Sequence, residues 1–330
     1  MTSFLMDADL ARLAIICGVV FGVLAYNRFG ITAGGAIVPG YLALYIPEPS
    51  HIVSTIGISL LTYLIVQKWL RPKYMLWGSR LFETEIVVAF TLQLAWMGAL
   101  TFLMQQTPVL SVFTTIGFVL PAIIAHDMGR QGIARTLQVT LGCTAIVFLL
   151  IMAVVSIRSF FGIVTLAPAA GFAFGNVTFI ATIALSIFAV LMLRQTPLRG
   201  WIGTGGFVTA AYLVLIFSKR PMDVLIILGG AAVTYVIVTQ ILMRQAIIFG
   251  RGKVAAMILV GMLITWAFEF VLSSQFGYTP WPGFFIIVPM MMALLANDTQ
   301  RYGPLGTVTG TFLTMAVVIS GLQLVNLALA

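Results

Sequence analysis

Charged residues are scarce in this sequence. Asp, Glu, Lys and Arg together account for 8% of its 330 residues, whereas a soluble domain has roughly 25%. A soluble fold of this size could not cover its surface with so few charges, so soluble enzymes, disordered chains and fibrous proteins are excluded. Hydrophobic residues make up 61% of the chain, and the mean hydropathy is +1.12. These values indicate an all-α polytopic membrane protein.

Residue types that carry out chemistry are also few. The chain has two cysteines, two histidines and nine acidic residues. Cys17 and Cys143 lie in apolar runs without a CxxC spacing, so we interpret them as small buried hydrophobes. No Gly-x-x-x-x-Gly-Lys-Ser/Thr phosphate loop, Gly-x-Ser-x-Gly elbow or His/Cys metal cluster occurs. We therefore predict no catalytic residue, no metal site and no cofactor, and any synthesis would need a catalytic partner.

Apolar segments follow one another without a soluble domain between them. We count twelve, near residues 9–27, 31–46, 51–68, 84–105, 110–126, 132–157, 173–193, 201–217, 222–241, 254–274, 282–297 and 304–329. If the N-terminus is outside and every segment crosses, 13 of the 17 Lys and Arg residues face the cytoplasm, as the positive-inside rule requires. The net charge of +8 then reflects this bias, not nucleic-acid binding. We predict a multi-pass protein of the cell (inner or cytoplasmic) membrane.

The two halves of the sequence resemble each other at an offset near 171–172 residues. Ala-His-Asp at 125–127 matches Ala-Asn-Asp at 296–298, and Thr-Tyr at 62–63 matches Thr-Tyr at 234–235. A basic cluster follows the third segment in both halves. Because both clusters should face the cytoplasm, we predict two parallel six-segment repeats, at residues 8–158 and 172–330, with about twelve transmembrane or partly re-entrant helices in all.

Segments two and five of the first half, and segment five of the second half, are interrupted by glycine and proline. Residues 30–40 contain four glycines and a proline, residues 117–121 read Gly-Phe-Val-Leu-Pro, and residues 280–289 contain three prolines and a glycine. Broken segments at corresponding positions point to a central binding site or path. Small residues equally allow helices to pack closely, and the sequence leaves both interpretations open.

Three runs of residues carry a family resemblance. Residues 30–42, which end in Ile-Val-Pro-Gly-Tyr-Leu, resemble the start of PgsC/CapC, the small membrane subunit of poly-γ-glutamate synthase. Residues 249–257 are similar to its basic cytoplasmic loop, and residues 286–303 to its C-terminal motif. An ordinary member has half this length, so the chain resembles two fused PgsC-like units. Pro-Gly-Tyr-Leu is kept only in the first half and Gly-Arg-x-Lys only in the second, which suggests that the units have specialised.

The resemblance implies partners and a product. It implies a PgsB/CapB-like ATP-dependent amide ligase in the cytoplasm, a PgsA/CapA-like accessory subunit and the anionic polymer poly-γ-glutamate. The chain would then be a non-catalytic membrane subunit, in contact with membrane lipid, that assists synthesis and export of the polymer. Two other functions stay open: a stand-alone secondary transporter for a small substrate, and a non-conducting membrane scaffold for a soluble enzyme.

Charged residues near the predicted cytoplasmic ends are our candidates for contact with the ligase or the polymer, because Arg can bind carboxylates in a bidentate way. They are Arg71, Lys73, Arg80, Asp127, Arg130, Arg251, Lys253, Asp298 and Arg301. The basic residues can also act as topology signals or bind anionic lipid headgroups. The two aspartates can also cap the next helix or pair with the arginines that follow them.

A second set of residues could line a path through the membrane. It comprises Gly34, Gly35, Pro39, Gly40, Tyr41 and Glu269. Glu269 lies well inside an apolar segment, where a carboxylate must be paired, protonated or hydrated. It is a candidate for lining the path or coupling to protons, and the alternative is a structural hydrogen bond to a neighbouring helix. The tryptophans, Trp281 among them, fit aromatic belts at the membrane surface.

Overall fold

The fold is helical in the computed structural model, which describes residues 8–104, 115–161, 176–245, 248 and 250–329. No strand occurs in these ranges. The chain separates into two compact units, Met1–Ala167 and Pro168–Ala330. We call them unit 1 and unit 2.

Unit 1 contains four long helices and two short ones. The long helices are α1 (Ala8–Phe29), α3 (Pro49–Tyr63), α4 (Ser79–Met104) and α6 (Ile133–Phe160). The short helices are α2 (Val38–Leu44) and α5 (Leu120–Gln131). Helix α3 continues through a π-helical stretch, Leu64–Leu70, into a last turn, Arg71–Tyr74.

Unit 2 has the same order of elements. Its helices are α7 (Asn176–Gln195), α8 (Thr209–Lys219), α9 (Pro221–Tyr235), α10 (Gly250–Phe276) and α11 (Ile287–Leu329). Helix α9 also continues through a π-helical stretch, Val236–Leu242, at the position that corresponds to the one in unit 1. Helix α11 is broken at Gly303 (φ 79°, ψ 165°), so it consists of two helical parts, residues 287–302 and 304–329.

Eight helices in the described ranges are long and apolar enough to cross a membrane. They are α1, α3, α4, α6, α7, α9, α10 and α11, with α3 and α9 counted together with their extensions. The prediction of an all-α multi-pass membrane protein is therefore confirmed. The eight do not include separate long helices for segments two and five, so twelve full-length spans are not observed in the described part of the chain.

In both units, the described residues of segments two and five instead begin as non-helical chain and continue into a helix. Residues 110–114, where segment five of the first half was predicted to begin, lie outside the described residues. In unit 1, Gly34 and Gly35 adopt positive φ angles of 70° and 103°, which a residue with a Cβ rarely does. Helix α2 then starts with Pro39 in its first turn, where the missing N–H has no intrahelical partner to lose. Pro121 has the same place in α5. Glycine and proline therefore fix where each of these helices starts.

The two broken segments of each unit lie side by side and run in opposite directions. In unit 1 the loop before α2 packs on α5, because a Cβ at Gly34 would lie 3.3 Å from Ile124. In unit 2 the loop before α8 packs on Leu295, while the ring of Tyr212 in α8 meets the ring of Phe284, with centroids 5.9 Å apart. The start of segment two thus meets the end of segment five, and the end of segment two meets the start of segment five. We call this arrangement the crossed pair.

Candidate functional site

Polar contacts gather around the crossed pair in both units. In unit 1 the loop before α2 is joined to the end of α5 by a reciprocal contact. The backbone N–H of Thr32 donates to Oε1 of Gln131 (2.8 Å), and Nε2 of Gln131 donates back to the carbonyl of Thr32 (2.6 Å). One amide side chain therefore satisfies both polar groups of a backbone unit that lies outside any helix.

A buried carboxylate joins three elements at the same end of unit 1. Glu85 in α4 has no exposed surface. It lies 2.7 Å from Nδ1 of His126 in α5 and accepts a hydrogen bond of 2.7 Å from Nε2 of Gln67. Arg71 then donates to Oε1 of Gln67 (2.8 Å). We call this group the Glu85 network. It connects α4 and the extension of α3 to the helical part of segment five.

Deeper in unit 1, two side chains hold the loop before α5. Nε2 of Gln93, which is fully buried, donates to the carbonyl of Gly117 (2.9 Å). The hydroxyl of Thr55 accepts a hydrogen bond from the backbone N–H of Ile116 (3.0 Å). A non-helical backbone at membrane depth needs such partners, because no water is available in the hydrocarbon region.

In unit 2 a charged cluster lies where segment two begins. Oδ2 of Asp298 accepts a hydrogen bond of 2.8 Å from the backbone N–H of Gly205. Arg194 and Arg301 interact electrostatically with this carboxylate, and Lys253 interacts with both Asp298 and Arg301. Asp298 therefore anchors the broken loop through Gly205, and two arginines lie close enough to interact with its charge. We call Arg194, Lys253, Asp298 and Arg301 the unit 2 basic cluster.

At the opposite end of unit 2, two acidic residues hold the loop before α11. Asp223 is fully buried and accepts hydrogen bonds from the hydroxyl of Tyr278 (2.6 Å) and the backbone N–H of Trp281 (2.9 Å). Burial and the hydrogen bond to Asp223 raise the pKa of Tyr278 above its usual value. Glu269 accepts a hydrogen bond from the indole N–H of Trp281. Trp281 is fully buried, so the aromatic-belt interpretation is wrong for this tryptophan.

The predicted contact residues differ in exposure between the units. In unit 1, Lys73, Arg80 and Arg130 are exposed, whereas Asp127 is buried. Arg71 donates to Gln67 and stacks on Trp77, with its Cζ 4.4 Å from the ring centroid. In unit 2, the residues Arg251, Lys253 and Asp298 are half-buried and Arg301 is exposed. The fold brings Lys253, Asp298 and Arg301 together. Arg71 belongs to the Glu85 network, while Arg80 lies at the start of α4 and Arg130 at the end of α5.

The predicted path residues are packed in protein to different degrees. Gly34, Pro39 and Gly40 are buried, and Gly35 and Tyr41 are half-buried. A Cβ at Gly40 would lie 2.6 Å from Cα of Ile15 and 2.7 Å from the carbonyl oxygen of Ala14, so α2 crosses α1 in direct backbone contact. This geometry supports close packing as the role of Gly40, and a path past the others stays a prediction.

Several site residues were not found from the sequence. Glu85, Gln67, Asp223 and Arg194 were not among the candidates. Glu85 lies near the start of an apolar segment and corresponds in unit 2 to Met257, so the repeat does not reveal it. Its position inside the apolar run is the signal that could have found it. Among the described residues, no group of three or more His, Cys, Asp or Glu side chains is placed to hold a metal ion.

Fold and site together define a polytopic α-helical membrane protein made of two similar units, each built around a crossed pair. The chain belongs to the capsule biosynthesis CapC family: the family's model matches residues 17–137 and again residues 189–308, more than half of the chain. The predicted resemblance to PgsC/CapC, in two tandem copies, is thereby confirmed.

Two relatives support this assignment. The chain is 33% identical over 130 residues to the PGA biosynthesis protein CapC of Bacillus subtilis (strain 168), which covers 39% of this chain and 85% of that protein. It is 30% identical over 129 residues to the capsule biosynthesis protein CapC of Bacillus anthracis, with the same two shares. No solved structure matches the chain.

Proposed function

We propose that this chain is the integral membrane subunit of a poly-γ-glutamate (capsule-type) synthase in the cell membrane. It docks an ATP-dependent amide ligase at its basic end and assists synthesis and export of the anionic polymer. Membership in the CapC family supports involvement in capsule synthesis, since the two relatives are named for PGA and capsule biosynthesis. The ligase carries out the chemistry, and the chain supplies the membrane part.

The observation that carries the docking proposal is the exposed basic surface of unit 1. Lys73, Arg80 and Arg130 are exposed around one end of the unit, the end that the charge count predicts to be cytoplasmic. Beside them, Trp69 and Trp77 are exposed by 66% and 67%. Basic residues attract an acidic partner and set its orientation, and exposed aromatic side chains add contact area that is typical of interfaces. Together they suit a soluble partner that approaches from this side.

The observation that supports a role in export is the crossed pair. Poly-γ-glutamate carries one α-carboxylate per residue, so it needs basic groups where it enters the membrane protein and a polar passage beyond them. The broken segments supply non-helical backbone and buried polar side chains at membrane depth, where transporters place their binding sites. The same feature also suits a stand-alone secondary transporter, which is the second candidate function.

The proposal is tested by purification of the tagged chain from its native membrane in mild detergent. ATP-dependent incorporation of labelled glutamate is then assayed on the eluate. We expect a co-purifying ligase and labelled polymer from the wild type. The double variant Lys73→Glu/Arg80→Glu should lose both, because the docking surface has changed sign. Lys219 is exposed and is one of the four basic residues that the charge count predicts to be external. Lys219→Glu is therefore the control and should retain both.

Three other results would contradict parts of the proposal. A wild-type chain that elutes alone and makes no polymer contradicts the synthase function, and stabilisation of that lone chain by a small solute would favour the transporter. Equal ligase recovery from the double variant and the control contradicts docking at this surface. Polymer that accumulates only on the ligase side of sealed native vesicles contradicts export and favours a non-conducting scaffold.

A further inference from the structure

We infer that the two units divide the work, and that the unit 2 basic cluster is a carboxylate-binding site that holds the polymer. This inference rests on the proposed function, because it takes poly-γ-glutamate as the polymer. It goes further in assigning the ligand class to Arg194, Lys253 and Arg301 of one unit. The exposed basic residues of unit 1 are then left for protein docking.

The cluster is built on the loop that starts segment two of unit 2. Its side chains come from α7, α10 and the first part of α11. Asp298 and Arg194 contact the loop, and Lys253 and Arg301 interact with Asp298. Cζ of Arg194 lies 4.7 Å from the ring centroid of Phe207, two residues after the glycine that Asp298 anchors. Cζ of Arg301 lies 5.3 Å from the ring centroid of Tyr302, and that ring in turn packs on Gly203. Both guanidinium groups therefore lie over aromatic rings that belong to the loop or pack on it.

The charges in the cluster do not cancel. Arg194, Lys253 and Arg301 contribute three positive charges, and Asp298 contributes one negative charge. One oxygen of that carboxylate is already occupied by the backbone N–H of Gly205. The arginines and the lysine retain exposed surface, since Arg194 and Lys253 are half-buried and Arg301 is exposed. An anion can therefore reach a site with excess positive charge, where the half-buried position weakens screening by salt.

Unit 1 lacks this arrangement at the corresponding positions. Lys253 corresponds to Leu81, and the positions that correspond to Arg194 at the two offsets are Gly22 and Val23. Asp127 and Arg130 are kept, but Arg130 is exposed and Asp127 is buried. In unit 1, the buried carboxylate of Glu85 instead forms the Glu85 network. The excess of clustered cations is thus a property of unit 2.

The ligand is a chain of carboxylates. Guanidinium groups match planar carboxylates with two parallel hydrogen bonds, and Lys acts as a point charge beside them. Three cations around one loop can contact more than one carboxylate at a time, which favours a polymer with a carboxylate on every residue over a single small anion. Lipid phosphate is the competing ligand, and the experiment separates the two.

Binding is measured on the purified wild-type chain in neutral detergent, without ligase, using a fluorescent γ-linked glutamate oligomer. We expect binding that weakens as salt is raised. Each of Arg194→Gln, Lys253→Gln and Arg301→Gln should weaken it by about tenfold, the loss of one charge-assisted contact. Arg135→Gln, an exposed residue outside both sites, is the control and should bind as the wild type does.

Asp298→Asn separates binding from folding. The Asn side chain keeps an oxygen that accepts from Gly205, but the negative charge is lost, so we expect tighter oligomer binding. A misfolded cluster would bind the oligomer more weakly, so tighter binding cannot result from misfolding. Equal or weaker binding by Asp298→Asn overturns the inference, as does wild-type binding that the three cation variants leave unchanged.

Two further outcomes show which part of the proposal is wrong if a test fails. Displacement of the oligomer by micelles doped with anionic phospholipid, but not by free glutamate oligomer of the same charge, would give the site to lipid headgroups and overturn the polymer assignment. Because no ligase is present, loss of ligase docking in the co-purification assay leaves this measurement untouched. Failure of oligomer binding with intact co-purification overturns the inference alone.

Discussion

The carboxylate of Glu269 accepts a hydrogen bond from the indole N–H of Trp281, which joins α10 to the non-helical start of segment five. This contact accounts for an acidic residue inside an apolar helix. It supports the structural alternative that the sequence left open for Glu269, because the carboxylate has a fixed partner in the same unit. The backbone N–H of Trp281 donates to Asp223 (2.9 Å), so the loop is held from both α9 and α10.

The first prediction concerns this contact. Glu269→Leu removes the acceptor and leaves a buried indole N–H without this partner, so we expect a loss of about 1–3 kcal/mol in stability. Glu269→Gln keeps an acceptor oxygen and should lose less. Thermal unfolding of the detergent-purified protein measures both, with Met97→Leu, the corresponding residue of unit 1, as a control. Equal melting temperatures for the Leu and Gln variants would show that the hydrogen bond contributes nothing.

A second prediction tests whether Gly40 allows close packing of α2 on α1 or lines a path. Gly40→Ala places a methyl group against the backbone of α1 at 2.6–2.7 Å, and backbone atoms cannot move aside. We expect destabilisation of about 1–3 kcal/mol. Gly57→Ala adds the same methyl group in α3, where a Cβ meets nothing within 4 Å, and should not destabilise. Unchanged stability of Gly40→Ala combined with lost polymer export would instead favour the path interpretation.

The Glu85 network yields a third prediction. Glu85→Ala removes the acceptor for Gln67 and the partner of His126, and it leaves a cavity between α4 and α5. We expect a loss of about 1–3 kcal/mol for the unsatisfied buried amide alone. Glu83→Ala, two residues earlier and half-buried, is the matched control and should cost less. Urea- or heat-induced unfolding of both variants gives the comparison, and identical losses would exclude a special role for the network.

The fourth prediction is a pH dependence at Tyr278. Its raised pKa means that the folded unit holds the phenol proton more tightly than the unfolded chain does. The resulting stability is complete below the ordinary tyrosine pKa of about 10 and is lost as pH rises through the raised folded pKa. The difference in melting temperature between wild type and Tyr278→Phe should therefore shrink at alkaline pH. Tyr74→Phe, an exposed tyrosine, should show no such trend, and a constant difference for Tyr278→Phe contradicts the prediction.

Local sequence was sufficient to locate the interruptions. The glycines before α2 and the prolines in the first turns of α2 and α5 act on their own backbone, so segments two and five could be marked from residue type alone. The all-α membrane class followed from composition for the same reason. The lengths of the resulting helices could not be predicted from the sequence, because the number of long spans depends on how many residues each loop occupies.

Partners of side chains were harder to predict because they come from distant segments. The contact between Gly205 and Asp298 joins positions 93 residues apart, and the one between Glu269 and Trp281 depends on the loop turning back into the unit. Arg194 was counted only as a topology signal at a segment end, since nothing in its neighbours indicates Phe207 or Asp298. Comparison of the halves did not help either, because among the described residues the Glu85 network and the unit 2 basic cluster are each found in only one half.

That one-sided distribution has a consequence for stoichiometry. Here a single chain carries one Glu85 network and one unit 2 basic cluster in a fixed ratio, and each can be altered by mutation while the other remains intact. The fused chain is therefore a convenient system in which the contributions of two CapC units can be measured separately.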